Sequence, residues 1–147
     1  MRSAESSTAR LSSLRARLSC EVTRFHEKVG GSFLTELASF FARYAERYMD
    51  SDADAVGELC EAPFLAVREG RAIHLADRAA VREHFSEVMA AYARSGAVRA
   101  EIHGLTVEPL GKSSANATVH WQVRSADGGL LKDFRTTYHM LLVESRW

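Results

Sequence analysis

Two alternating runs near the end of the chain, Ala117–Val123 and Phe134–Leu142, constrain its fold more than any other feature. Between them lies Ala126-Asp127-Gly128-Gly129, and Asp-Gly between two alternating runs marks an antiparallel hairpin. Folding about Asp127-Gly128 sets Trp121 opposite Phe134, Val119 opposite Thr136 and Ala117 opposite Tyr138. One face then carries Val119, Trp121, Val123, Phe134, Tyr138, Met140 and Leu142. The other carries Asn116, Thr118, His120, Gln122, Arg124, Asp133, Arg135, Thr137 and His139. A slip of one residue would exchange the two faces, so the pattern specifies its own register.

The rest of the chain supplies layers to cover the apolar face. From Ser32 to about Met49, the residues Phe33, Leu37, Phe40, Phe41, Tyr44 and Tyr48 recur at helical spacing, giving a helix with an aromatic inner face. Asp50-Ser51-Asp52 ends it and caps a short second helix from Ala53 to about Cys60, which Pro63 stops. Phe64–Val67 and Arg71–Leu75 flank Glu69-Gly70 as a small hairpin. Asp77 caps a third helix that Gly96 closes, with Val81, Phe85, Val88, Met89 and Tyr92 as its core stripe. Beyond Gly96, Val98, Ala100 and Ile102 alternate inward, and Leu105 and Val107 continue on the opposite phase. That switch beside Gly104 predicts a bulge that bends the strand. Helix, helix, hairpin, helix and a curved meander make an α+β protein with helices on one sheet face.

At 147 residues the chain fits a single core without disulfide staples. Nineteen basic residues balance nineteen acidic ones, so no overall field favours nucleic acid or an anionic membrane. No apolar run approaches the roughly 18–20 residues of a membrane span. Cys20 and Cys60 lack metal or redox spacing and read as reduced thiols of a cytoplasmic protein. Residues 1–30 are rich in Ser and Arg, with Leu11, Leu14, Leu18, Val22, Phe25 and Val29 at helical spacing. The acidic Glu5, Glu21 and Glu27 count against a transit peptide, leaving a helical or partly disordered extension ahead of a domain spanning 31–147.

Four stretches resemble one family. They are the aromatic helix Phe40-Phe-Ala-Arg-Tyr44, the second helix Asp54-Ala-Val-Gly-Glu-Leu59 with Pro63, and Ala79-Ala-Val-Arg-Glu-His-Phe85. The fourth is the closing run from Asp127-Gly through Thr137-Tyr-His-Met-Leu-Leu142 to Arg146-Trp147. Together they resemble the nuclear-transport-factor-two-like superfamily, which includes SnoaL-like polyketide cyclases, ketosteroid isomerases and scytalone dehydratase. The resemblance implies a cone: a curved antiparallel sheet with three helices on its concave face and a cavity between the layers. Members of this superfamily usually continue past a Trp of this kind with a further strand. Here the sequence stops at Trp147, so the expectation is either a missing final strand, which would leave the edge of the Tyr138 strand unpaired, or a naturally shortened sheet.

The same resemblance places Tyr44, Tyr48, Phe64, Phe85, Trp121 and Tyr138 around a ligand. Any one of these rings could serve simply as core. As a set, they outline an aromatic wall with a few hydroxyls, suited to a flat, mostly apolar molecule. Enzymes of this fold use a pocket carboxylate or histidine as general base. The inward strand faces carry no Asp or Glu, and where ketosteroid isomerases place their base this chain reads Ala62-Pro-Phe-Leu65. Glu46, Asp50 and Asp133 read as surface residues. Candidates for acid–base work reduce to Tyr48, His84 and Tyr138. The six histidines show neither HxH nor HExxH spacing, so no metal and no cofactor is expected. The resemblance also implies a homodimer through the outer sheet face, at Thr118, His120, Gln122, Arg135 and Thr137. The favoured expectation is a protein that binds a small hydrophobic or aromatic molecule. A cyclase, isomerase or dehydratase using the same pocket is the alternative, and a dimeric interaction module without ligand is the third reading.

Overall fold

The computed structural model describes residues 31–147; the expected N-terminal extension and Cys20 lie outside them. Helix α1 (Gly31–Met49) and helix α2 (Ala53–Glu58) come first, followed by strands β1 (Phe64–Arg68) and β2 (Arg71–Leu75). Helix α3 (Arg78–Arg94) leads into β3 (Ala97–Pro109), β4 (Ser114–Ser125) and β5 (Leu130–Leu141).

Local chemistry sets the helix starts. Asp52 accepts the Ala55 backbone N–H at 2.9 Å, and Asp77 accepts that of Ala80 at 2.9 Å. Each carboxylate satisfies one of the amides that a helix start leaves unpaired. The α2 helix is one turn, ending at Glu58 rather than Cys60.

The long meander carries the expected register. Trp121 pairs with Phe134, Val119 with Thr136 and Ala117 with Tyr138. Both strands run further than the alternation alone indicated, β4 from Ser114 and β5 from Leu130. In the turn, Gly128 adopts φ 88°, a left-handed conformation that glycine takes without steric cost. The Asp127 carboxylate closes the turn by accepting from the Ser125 hydroxyl and from the Gly129 amide.

The bulge beside Gly104 is present as a register shift between Ile102 and Gly104. A second shift between Ala97 and Arg99 was not foreseen. It turns Val98 outward, leaving it 54% exposed instead of facing the core. Two bends in one strand curl β3 about the helices.

Two apolar clusters hold the layers together. Leu37, Phe40, Phe41 and Ala45 of α1 pack on Ala115, Ala117, Val119 and Trp121 of β4 and on Met140 of β5. Val56 of α2, Leu75 of β2, and Val81, Phe85 and Met89 of α3 form the second cluster. Tyr44 touches both, so α1 joins the two cores.

The strands form two sheets, β1-β2 and β3-β4-β5, with β5 at the edge of the larger one. Just after β5 the chain reverses. Val143 and Arg146 exchange two backbone hydrogen bonds, at 2.8 and 2.9 Å, across Glu144 and Ser145, both at positive φ. Two successive left-handed residues are the mark of a tight type I′ turn. Trp147 then folds back onto α1, edge-on to Phe33 at 4.8 Å, and its indole N–H donates to Glu36.

Candidate functional site

A cleft of about 1540 Å³ opens between α1, the inner face of β4 and β5, and the β1 strand. It exceeds the roughly 300–1,000 Å³ of most small-molecule pockets. Consecutive residues of β1 (Phe64 to Val67) and of β5 (Thr136 to Leu141) line it, on the two separate sheets.

The inner wall is built from alternate residues on two strands and from one helix face. Period two on β4 and β5 turns Trp121, Phe134, Thr136 and Tyr138 inward, while Tyr44 and Tyr48, four apart, face them from α1. Trp121 is only 4% exposed. Its indole N–H donates to the Tyr138 hydroxyl at 3.2 Å. Tyr44 lies with its ring centroid 5.8 Å from that of Tyr138 and 6.3 Å from that of Trp121. Tyr48 meets Phe85 edge-on at 6.2 Å and Tyr92 at 5.5 Å, and Phe64 closes on Phe85 at 5.9 Å. All six residues assigned to ligand contact from the sequence thus line one cleft.

Burial governs the ionisation of this wall. It raises Tyr44 well above the ordinary phenol value, with Tyr138 adding to the effect, and it raises Tyr48 as well. Tyr138 is pushed up to about 12 by burial, although hydrogen bonds with Trp121, Thr136 and Tyr44 pull the other way. Burial also raises the Cys60 thiol to about 12 and lifts Tyr92, against the opposing charge of Arg68. At neutral pH these phenols and the thiol are uncharged, so the wall offers O–H and N–H donors rather than bases.

The three acid–base candidates sit differently. Tyr48 and Tyr138 face the cleft, and His84 stands at its margin, half-buried, with its ring 5.5 Å from that of Phe85. The carboxylates that line the cleft, Glu36, Glu58 and Glu61, are all exposed to solvent. Among the described residues, no cluster of His, Cys, Asp or Glu is arranged to hold a metal ion.

Sequence reasoning missed Thr136 and Cys60 as members of the wall. The signal for Thr136 lies in the alternation itself, since period two places it between Phe134 and Tyr138 on the inner face. Cys60 has no such signal, because a residue just past a one-turn helix has no face that periodicity can assign.

The opposite face of the sheet is a polar lattice. His120 Nε2 lies 2.7 Å from Asp133 Oδ1, and Gln122 donates to Asp133 Oδ2 at 2.8 Å. These contacts hold Asp133 below the usual carboxylate range, His120 contributing most. Arg135 stands opposite His120 in register, as expected, yet the hydrogen bond goes diagonally to Asp133. Arg124 donates to Glu101 at 2.7 Å, and Thr118 meets Thr137 at 2.9 Å. Thr118, His120, Gln122, Arg135 and Thr137 therefore share this outer surface.

The family model described as NTF2-like protein (DUF6841) matches residues 35–147. The chain belongs to this NTF2-like family. No functionally curated protein matches it. Among solved structures, the fold is similar to Aln2 from a Streptomyces species, with a TM-score of 0.62 and 21% identity over 82% of this chain and 87% of that one. It is equally similar to an NTF2-like protein with a cystatin-like fold from Novosphingobium aromaticivorans, with a TM-score of 0.62, 21% identity, and coverage of 100% and 85%. A protein from Catenulispora acidiphila in complex with S-DNPA aligns with a TM-score of 0.62 at 13% identity, covering 78% and 85%. At these identities the likeness concerns the fold, an α+β NTF2-like cone. No described helix is long and apolar enough to cross a membrane.

Proposed function

We propose that this NTF2-like protein binds a small, flat, mostly apolar molecule in the cleft between Trp121, Tyr138, Tyr44 and Tyr48. The observation that carries the reading is the wall itself: a buried indole hydrogen-bonded to a half-buried phenol, with further aromatic faces opposite and open volume between the layers. Large rigid aromatic surfaces with few polar groups favour such ligands. A protein of similar fold has been solved in complex with S-DNPA, which supports a ligand-holding role for the cone.

Binding is favoured over acid–base catalysis because phenols with raised pKa values are poor bases at neutral pH and the cleft's carboxylates reach solvent. A homodimer through the outer face of β3–β5 belongs to the same proposal. Its support is the broad polar surface displaying Thr118, His120, Gln122, Arg135 and Thr137.

The chain has two tryptophans, so Trp147→Phe leaves Trp121 as the sole indole reporter. Titration of that variant with naphthalene is expected to quench or shift Trp121 emission, with a Kd on the order of 100 μM for a ligand of that size. Emission unchanged up to the solubility limit of naphthalene, and of a larger aromatic such as anthracene, overturns the reading.

A further inference from the structure

The aromatic side chains of the cleft form a row that ends on a cation. From the indole of Trp121 the ring centroids step to Tyr44 at 6.3 Å, on to Tyr48 at 5.7 Å and then to Tyr92 at 5.5 Å. The Lys132 ammonium lies over the face of Tyr92, 4.9 Å from its centroid. The negative face of the ring attracts the charge and holds it there. Period two brings the lysine to this place: it stands two residues before Phe134 on the inner side of β5, opposite Val123. Trp121 is buried, Tyr44, Tyr48 and Tyr92 are half-buried, and Lys132 is exposed, so the row runs from dry to wet.

A second cation approaches the same corner from the other sheet. In β1, Phe64 and Ala66 are the half-buried positions that line the cleft, and Arg68 follows them at period two. Its charge acts on the phenols of both Tyr48 and Tyr92, opposing the effect of burial. Arg68 already has a partner in Glu69 at 3.4 Å, with both side chains largely exposed. Lys132 has none: among the described residues, no carboxylate forms an ion pair with it.

Such a corner suits an anion held at the rim. A carboxylate carried in to Trp121 would exchange its water for neutral phenols and an indole, which is unfavourable. Beside Tyr92 it keeps solvent on one side and faces the ammonium. The charged residues that line the rest of the cleft give no such bias, since Arg43, Arg78 and Arg146 are matched by Glu36, Glu58 and Glu61.

On the reading that the cleft is a ligand pocket, we propose that Lys132, with Arg68 beside it, forms a subsite for the carboxylate of a planar aromatic acid. The ring system of the acid lies along Tyr44 and Tyr48, and its charge emerges at Tyr92.

A matched pair of probes tests this with the whole chain. Biphenyl-4-carboxylic acid and biphenyl-4-carboxamide share one shape and differ in charge at neutral pH, so titration calorimetry or ligand-observed NMR of both isolates the subsite. The acid is expected to bind about fivefold more tightly at low ionic strength, the upper range for one exposed ion pair. That preference is expected to vanish in about 1 M salt, where charges are screened over roughly 3 Å. Lys132→Gln is expected to bring the ratio to about one while leaving carboxamide affinity unchanged, which also reports that the variant is folded. A carboxamide that binds the wild-type chain as tightly as the acid at low salt overturns the acid subsite and leaves the pocket reading standing. An acid preference undiminished in Lys132→Gln overturns the assignment to this corner. Binding of neither probe overturns the pocket reading itself.

Discussion

At the scale of single residues, the molecule concentrates its phenols in one apolar space. The chain has four tyrosines, and burial raises the pKa of every one of them. A group whose folded pKa lies above its unfolded value contributes stability fully below the unfolded value, and loses it as pH rises through the folded one. Tyr138, at about 12 when folded against roughly 10 unfolded, therefore stabilises the fold up to about pH 10 and ceases to do so by about pH 12. Absorbance at 295 nm should show no phenolate step near pH 10, followed by a late rise that coincides with unfolding. A reversible step near pH 10 worth two or more tyrosines would show the aromatic wall to be wet.

At the scale of elements, the β4–β5 hairpin was readable almost completely. Alternation fixed which residues face the core, and Asp127-Gly128 fixed the fold-back point, so Trp121, Tyr138 and the polar partners of Asp133 fell into place together. Val98 was misplaced because a bulge between Ala97 and Arg99 inserts one residue and inverts the phase across it, which alternation alone does not reveal at the start of a strand. Cys60 was missed for a related reason, since the one-turn α2 offers too few residues for a periodicity. The outer face of the same sheet carries its own prediction. If β3–β5 meets a second copy through Thr118, Arg135 and Thr137, light scattering at micromolar concentration should give twice the chain mass. Placing glutamate at Thr137, on the same face as Asp133, should return it to one. A wild-type chain that scatters as a single copy contradicts the dimer.

At the scale of the whole molecule, sequence periodicity could name the faces but not the gaps between elements. It identified the strands of both sheets and the helix layers, yet nothing in the pattern of β1 or β5 states how far apart their edges stand. That distance decides whether six aromatic rings fill a core or leave a cleft. The structure leaves one, bounded by the β1 and β5 edges at the mouth and by Trp121 and Tyr138 within. Exposed Leu65 and Val67 on β1 and Leu141 on β5 flank the same opening, so an apolar solute meets apolar surface before it reaches the indole. The most direct measurement of this claim is a crystal structure of the chain soaked with naphthalene. The account predicts density for the fused ring beside Trp121, against the Tyr44 and Tyr138 rings. A cleft closed by the side chains of Tyr44, Tyr48 and Phe85, with no density at saturating ligand, would contradict it.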